Sequence, residues 1–427
     1  MTSRSPEGCF VYITLPGQTE QVVAARFEIR MSRGASVGRL VYGRSYLERR
    51  DAVPIDPVDL SVLDDKVYER AGDTPLFSSL RDALPDYWGR LVIERAVGGE
   101  LDDIGLLLRT PDDRAGALGF GLNATPPAPN YVFNRTLRLE DLMRAAQKVL
   151  SDTEADQELV RRYEQLNLVG TAMGGARPKA VVEDEDGLWL AKFPRKDDKF
   201  DVPRAEHAML LLAQEVGIST AESKLVVIGH QPVLMVKRFD REKVGSGYLR
   251  HRMVSALTVL RASDSATDRS RWSYPLLADA LTRVDVDHAR SKRDLFSRMV
   301  FNALISNADD HPRNHALIAD ARGWRLSPAY DLLPHSQVAQ DRMLGMQIGD
   351  EGRAATASNL LSASPRFGVQ KSEAEVLIDR MRTLVSHRWY PLCRSVGMTE
   401  ADCGMIESAF DFEGFGTVEH PSNRFGS

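Results

Sequence analysis

The sequence has few cysteines: its 427 residues include only Cys9, Cys393 and Cys403. Three widely separated cysteines predict neither a disulfide framework nor a cysteine metal site, so a reducing, cytoplasmic setting is expected. No run reaches the roughly 18 apolar residues of a membrane helix, and the first residues lack the apolar core of a signal peptide, so no membrane partner is expected. A formal net charge of −5 excludes a general attraction to DNA.

The pattern of apolar residues divides the chain into three blocks. Residues 1–122 combine strand-like runs with a helical stretch, DYWGRLVIERAVGG, and predict a small α+β subdomain. Residues 123–240 open with a proline-rich connector and alternate strand patterns with one helix, which starts near Pro203 and stops at Gly217. Residues 241–427 show mainly helical periodicity. A β-rich block followed by a helical one predicts an α+β fold of two lobes with a ligand crevice between them.

The segment ISNADDHPRNHALIA carries the strongest functional signal. Asp309 and Asn314 are separated by four residues, which is the D-x-x-x-x-N spacing of the protein-kinase catalytic loop. In that loop the aspartate faces the substrate hydroxyl and the amide oxygen holds a metal ion. Asp331 follows seventeen residues after Asn314, in LSPAYDLLP, in the order expected for a second metal-binding aspartate. These residues predict a phosphotransfer centre that uses ATP and magnesium.

A glycine-rich stretch, GTAMGGARPKA, is the candidate cradle for the phosphates of ATP. Gly174 and Gly175 let the backbone approach an anion closely, and Arg177 and Lys179 add positive charge. The stretch matches neither the GxxxxGK[ST] nor the GxGxxG pattern, so a glycine turn in a β-hairpin is an alternative interpretation.

Lys192 lies at the end of the apolar strand LWLAKFP. In protein kinases, a lysine on such a strand holds the inner phosphates of ATP. The kinase interpretation also requires a carboxylate on a following helix to orient that lysine. Glu206, fourteen residues further on in PRAEHAMLLLAQ, is the candidate. The alternatives are a surface lysine at a strand end and a solvated glutamate on a helix face.

Other chemistries fit the catalytic segment less well. The segment DDHPRNH is also compatible with a polar loop between helices, because Asp, Asn and Pro are common turn residues. His311 and His315 suggest a zinc hydrolase, but the HExxH glutamate is missing and Pro312 disfavours the helix that would align both imidazoles. No G-x-S-x-G motif indicates a serine nucleophile.

Together the motifs GGARPK, LAKFP, VKRFDR, DDHPRNH and LSPAYDL resemble the HipA family of serine/threonine kinases, the toxins of bacterial toxin–antitoxin pairs. The likeness extends upstream to VGRLVYG, DALPDYWGRLVIER and DDRAGALGFG, so it spans most of the chain. It implies a bilobal, protein-kinase-like fold with a β-rich N-lobe, an extra N-terminal α+β subdomain and an all-α C-lobe.

The resemblance also implies a role for each matching residue. Asp309 would be the catalytic base, Asn314 and Asp331 the magnesium ligands, and Lys192 a contact of the ATP phosphates. The remaining contacts of ATP would be a phosphate loop from Gly174 through Ala176 and Arg177 to Lys179, the backbone of Lys237 and Phe239 at the adenine, and His311 near the phosphates.

The family further implies partners and regulation. Its members are typically bound by a HipB-like helix-turn-helix antitoxin, through which the complex contacts DNA, and characterised members phosphorylate aminoacyl-tRNA synthetases. Many members carry an autophosphorylated serine ahead of the glycines, but Ala172 stands at that position here and leaves Thr171 as the nearby hydroxyl. Two alternatives stay open: a binding partner of the antitoxin in transcriptional autorepression, and a small-molecule phosphotransferase that shares the site.

Overall fold

The computed structural model of the chain describes residues 7–32, 34–72, 74–129, 133–135, 138–151, 177–410 and 412–416. These residues group into two compact units, each made of several chain segments. Unit 1 contains the described residues up to Arg195 together with Met235–Thr258 and Leu317–Trp324; unit 2 contains Lys196–Leu234, Val259–Ala316 and the described residues from Arg325 onward. The division at residues 122 and 240 stays a prediction.

Most strands lie before residue 260, and the two longest helices, α9 and α11, lie after it. The strands are β1 (Gly8–Thr14), β2 (Gln21–Ser32), β3 (Ala35–Tyr42), β4 (Tyr68–Ala71), β5 (Leu118–Gly121), β6 (Asn134–Arg135), β7 (Lys179–Asp184), β8 (Gly187–Lys192), β9 (Ser223–Ile228), β10 (Gln231–Lys237), β11 (Arg241–Val244), β12 (Gly247–Arg250), β13 (Arg252–Ser255), β14 (Ala316–Asp320) and β15 (Gly323–Leu326). The helices are α1 (Arg44–Leu47), α2 (Ser78–Arg81), α3 (Tyr87–Val97), α4 (Asp103–Arg109), α5 (Leu139–Ser151), α6 (Val202–Glu215), α7 (Ala256–Val259), α8 (Tyr274–Val284), α9 (His288–Leu304), α10 (Ala357–Ala363), α11 (Lys371–Ser395) and α12 (Glu400–Ile406).

Unit 1 begins with an antiparallel sheet in the order β4-β3-β2-β1-β5. Alternate residues of β1, namely Cys9, Val11 and Ile13, are buried in one apolar core, because successive side chains of a strand point to opposite faces. Helix α4 packs against β1 and β5, and its Leu107 belongs to the same core. The described residues up to Gly121 thus combine an antiparallel sheet with short helices, which agrees with the α+β pattern of this part of the sequence.

A second sheet carries the predicted ATP-binding residues Lys179 and Lys192 on its strands β7 and β8, which belong to unit 1. Its strands β7 and β8 form an antiparallel hairpin in which Lys179 pairs with Lys192. The hairpin turns at Gly187, whose φ of 125° is a conformation that side-chain-bearing residues rarely adopt. β6 runs parallel to β7, and β10 lies beside β8. Two smaller sheets, β11-β12 and β13-β14-β15, contain the strands after β10.

Unit 2 is built mainly of packed helices. α8 packs on α9, and α11 contacts both α9 and α6. The predicted start and stop of α6 are confirmed: Asp201 caps its first turn, Pro203 lies in that turn, and Gly217 follows its end with a φ of 90°. Every helix in the described part of the chain is too short or too polar to cross a lipid bilayer.

We expect substitution of Gly38 by alanine to destabilise the first sheet. An added Cβ would lie 1.8 Å from the backbone oxygen of Pro75, a clash that only a backbone shift relieves. Such overpacking costs about 1–3 kcal/mol of unfolding free energy, measured from urea unfolding midpoints. Gly99→Ala is the matched control, because its new Cβ would meet no atom within 4 Å. Equal midpoints for the two variants would contradict the close approach.

Candidate active site

The catalytic segment is a short loop between α9 and β14 in unit 2. Ser306 turns the chain out of the helix with a φ of 51°, and Pro312–Asn314 form one turn of 3-10 helix before β14 begins. Within this loop Asp309 is exposed, whereas Asn314 is only 5% exposed. The loop thus presents one carboxylate to solvent and turns the amide inward, which is the division of roles expected of a base and a metal ligand.

The Asn314 side chain leaves an oxygen available for a cation. Its Nδ2 donates to the backbone oxygen of Asp309 at 3.3 Å, and its backbone N–H donates to the His311 oxygen at 2.8 Å. Its Oδ1 is buried and has no hydrogen-bond partner among the described residues. A bare buried oxygen costs free energy, which a bound cation would recover. The residue therefore fits a magnesium ligand.

Asp331 is held next to the catalytic loop by its neighbour. The Tyr330 hydroxyl donates to the backbone oxygen of Arg313 at 2.7 Å, which joins the Asp331 segment to the loop that carries Asn314. Asp331 itself is half-buried with a φ of 59°, a left-handed conformation that aspartate tolerates better than most residues. Asp309, Asn314 and Asp331 are thus carried by two segments of unit 2 that are bonded to each other.

The two histidines of the loop have different surroundings. His311 is half-buried, with its ring edge to face against Trp272 at a centroid distance of 6.5 Å. His315 is buried and bonded through Nε2 to Asp310 at 2.9 Å. No group of three or more His, Cys, Asp or Glu side chains in the described part of the chain is placed to hold a metal ion. The described residues therefore offer no ligand set for the zinc hydrolase alternative.

Asp310 is a residue whose importance the sequence did not indicate. It adjoins the exposed Asp309, yet it is 1% exposed and bonded to the Tyr274 hydroxyl as well as to His315. Burial, and secondly the Asp310 charge, raise the pKa of Tyr274 well above its ordinary value. The phenol is therefore a stable donor at neutral pH. In the sequence, the only sign of a special role for Asp310 is that it directly follows Asp309. Two adjacent aspartates do not indicate which of them is buried.

The predicted phosphate loop lies partly outside the described residues, which exclude Thr171, Gly174, Gly175 and Ala176. At its described end, Arg177 donates to the backbone oxygen of Phe193 at 3.4 Å. The Lys179 ammonium forms a buried ion pair with Asp86, the residue that also caps α3. The backbone oxygen of Lys179 accepts a bond of 3.0 Å from Trp88. Lys179 thus joins α3 to the start of β7.

Lys192 and Glu206 are both buried, at 8% and 3% exposure. Lys192 is the last residue of β8 in unit 1, and Glu206 lies in the first half of α6 in unit 2. Long charged side chains are seldom buried unless they serve a partner or a ligand. The pairing of this lysine with this glutamate stays a prediction.

The predicted adenine hinge follows β10 and contains a buried charge cluster. Arg238 and Arg241 donate to the carboxylate of Asp240, and the Gly116 N–H donates to it at 2.8 Å. Burial opposes the charge on Asp240, but the two arginines outweigh it and hold the pKa of this carboxyl well below its usual range. The ionised carboxylate is therefore fully paired.

The same cluster connects the hinge to the N-terminal subdomain within unit 1. Arg238 donates to the backbone oxygen of Asp113 at 2.5 Å, and Arg241 to that of Arg114 at 2.6 Å. Beside them, Lys237 places its ammonium 5.4 Å from the centre of the Trp189 ring, and Phe239 is half-buried in the turn. The resemblance assigns the backbone of Lys237 and Phe239 to adenine. The hydrogen bonds of the Arg238 side chain anchor the chain between these two residues.

Comparison with known proteins identifies the family to which residues 171–389 belong. Residues 171–389, just over half of the 427-residue chain, match the family model of the HipA-like C-terminal domain. A protein of Haemophilus influenzae named as a kinase is 23% identical over 210 residues, which are 44% of this chain and 61% of that protein. The serine/threonine-protein kinase toxin HipA of Shewanella oneidensis is 27% identical over 161 residues, 34% of this chain and 37% of that protein. Both matches cover less than two thirds of the relative.

The fold has a solved counterpart over nearly its whole length. A chain of the Shewanella oneidensis complex of HipA, HipB and operator DNA matches with a TM-score of 0.68 at 18% identity. The match covers 93% of this chain and 95% of the other. The predicted α+β, protein-kinase-like fold is thereby confirmed, with short strands β11 to β15 added to the otherwise helical last block.

The charge cluster at the hinge yields a stability prediction. Asp240→Asn removes the negative charge to which the two buried guanidinium groups of Arg238 and Arg241 are bonded. Breaking a buried pair in this way costs about 3–5 kcal/mol, so we expect a clearly lower urea midpoint. Asp51→Asn, at an exposed pair with Arg49, is the matched control and should leave the midpoint almost unchanged. Equal effects at the two positions would contradict the central role of Asp240.

Proposed function

The chain belongs to the HipA-like family, and on this basis we propose that it is an ATP- and magnesium-dependent serine/threonine protein kinase. The observation that carries the proposal is the catalytic loop, where Asp309 is exposed and the buried Asn314 oxygen lacks a hydrogen-bond partner within the described residues. An exposed carboxylate suits a base that meets a substrate hydroxyl, and a buried bare oxygen suits a metal ligand.

In the proposed reaction the oxygen of the acceptor hydroxyl attacks the γ-phosphorus of ATP, and ADP leaves. Asp309 accepts the proton of that hydroxyl. Asn314 and Asp331 would hold magnesium, which when bound supplies positive charge against the negative charge of the transferred phosphoryl group. Lys192 is assigned to the inner phosphates, with Glu206 as its orienting carboxylate.

The remaining assignments concern the nucleotide. The backbone of Lys237 and Phe239 is assigned to the adenine edge, and its support is the rigid anchoring of Arg238 between them. His311 is assigned to the phosphates, and its support is a buried Nδ1 that has no hydrogen-bond partner in the described part of the chain. The phosphate loop is assigned to Gly174, Gly175, Ala176, Arg177 and Lys179.

We further infer that the protein acts in the cytoplasm as the toxin of a toxin–antitoxin pair. The Shewanella structure contains HipA, HipB and operator DNA, which supports a HipB-like helix-turn-helix antitoxin as partner and DNA contact only through that partner. The acceptor would be a hydroxyl of a protein, with an aminoacyl-tRNA synthetase as the target that the family implies. Ala172 leaves Thr171 as the candidate regulatory phosphosite.

Phosphate transfer from labelled ATP to proteins of a lysate of the host cell tests the proposal. We expect Asp309→Asn to lower the transfer rate by about 10²–10⁴-fold, the usual contribution of a general base, and Asp331→Asn to lower it because a metal ligand is lost. Asp350→Asn makes the same chemical change at an exposed position of unit 2 and should leave the rate unchanged. Unfolding midpoints establish that each variant is folded.

The alternatives give different results in the same experiment. Label on a metabolite instead of a protein indicates a small-molecule phosphotransferase. Absence of ATP binding by calorimetry at millimolar nucleotide with magnesium indicates a binding partner of the antitoxin without catalysis. Transfer by both aspartate variants at the parental rate would refute the site assignment.

A further inference from the structure

A buried side-chain bridge joins the middle of the catalytic loop to its last residue. Asp310 and His315 each directly follow one of the residues assigned to the reaction, Asp309 and Asn314. Their side chains meet at 2.9 Å between His315 Nε2 and Asp310 Oδ1, and the two residues are 3% and 1% exposed. The bridge therefore fixes the backbone next to the base relative to the backbone next to the metal ligand.

The other oxygen of Asp310 connects the bridge to the helices of unit 2. The hydroxyl of Tyr274, the first residue of α8, donates to Asp310 Oδ2. Asn302 of α9 donates to the same hydroxyl at 2.9 Å, and Asn307 donates to Asn302 at 3.1 Å. The Tyr274 ring also lies edge to face on His315, with centroids 5.1 Å apart. Both carboxylate oxygens of Asp310 are thus satisfied by groups on rigid elements.

A second contact holds the loop from its backbone side. Gly345 lies so close that an added Cβ would be 2.2 Å from the Asp310 carbonyl oxygen and 3.3 Å from that of Ala308. Just before the loop, the Ser306 hydroxyl donates to the Ala409 oxygen at 2.7 Å. The contacts of Gly345 and Ser306 therefore restrict movement of the loop backbone in addition to the Asp310–His315 bridge.

The Asn314 side chain has a weaker support of its own. Its Nδ2 reaches the Asp309 carbonyl at 3.3 Å, which is long for an N–H···O bond. The direction of its Oδ1 therefore depends on the backbone at Asn314, and this backbone is set by the adjacent His315.

We propose that Asp310 and His315 form a clasp that sets the distance between the catalytic base Asp309 and the magnesium ligand Asn314. Both are positioning residues, and the inference rests on the proposed kinase function. Supporting groups behind metal ligands typically change metal affinity or activity by about 10–100-fold when removed, and a displacement of roughly 1 Å at a reacting group costs about 10²-fold in rate.

The test compares His315→Ala with His315→Gln. Alanine removes the bridge, whereas the glutamine amide places an N–H donor near the position of Nε2 and should restore it. We expect alanine to weaken Mn²⁺ binding, measured by calorimetry in the presence of a non-hydrolysable ATP analogue, by about 10-fold. It should also lower kcat by about 10–100-fold, with the KM for ATP at saturating magnesium nearly unchanged. Glutamine should recover most of both losses.

Tyr274→Phe and Tyr42→Phe separate positioning from general stability. Each removes a buried hydroxyl that has two hydrogen bonds, to Asp310 and Asn302 in one case and to Leu60 and Ile55 in the other. Both variants should lower the unfolding midpoint to a similar extent. Only Tyr274→Phe should weaken Mn²⁺ binding and lower kcat.

The Mn²⁺ measurement distinguishes failure of the clasp from failure of the proposed function. Weakened Mn²⁺ binding in His315→Ala, in a parent that transfers no phosphate, supports the clasp and refutes the kinase. Parental Mn²⁺ affinity and parental kcat in a folded His315→Ala overturn the clasp while the kinase stands. A parent that binds neither Mn²⁺ nor nucleotide refutes both.

Discussion

Burying a carboxylate away from water is stable only when cations or hydrogen-bond donors surround it, and each unit of this protein contains such a group beside the proposed site. In unit 1 it is Asp240, which receives two arginines and the backbone N–H of Gly116. In unit 2 it is Asp310, which receives Tyr274 and His315. Both lie directly beside backbone that the proposed reaction uses.

The Asp240 cluster explains how a subdomain that supplies no assigned catalytic residue still matters to the site. Its loop at Asp113–Gly116 provides carbonyl and N–H groups to the charged side chains of the hinge. Lys179 and Asp86 make a second such connection between α3 and the start of β7. The described residues up to Gly116 therefore support, within unit 1, the backbone to which the proposed function assigns ATP.

The catalytic loop shows how two identical neighbours acquire different roles. Asp309 is exposed and available to a substrate, whereas Asp310 is enclosed by α8, the loop end and Gly345. From Asp309 to Asn314, exposed or half-buried side chains alternate with buried ones. In the proposed mechanism, the buried aspartate fixes the backbone next to the exposed one and so gives the base the defined position that catalysis requires.

Local sequence determined those features that depend on neighbouring residues. Glycine and proline positions predicted the ends of α6, apolar periodicity predicted α3, and the D-x-x-x-x-N spacing selected the loop and the order of its residues. The tertiary structure alone decided which aspartate is buried, that Lys179 pairs with Asp86 from 93 residues away, and that Arg238 reaches a carbonyl 125 residues away. The physical reason is that burial and charge pairing depend on chain segments brought together by folding, and no local pattern specifies which segments meet.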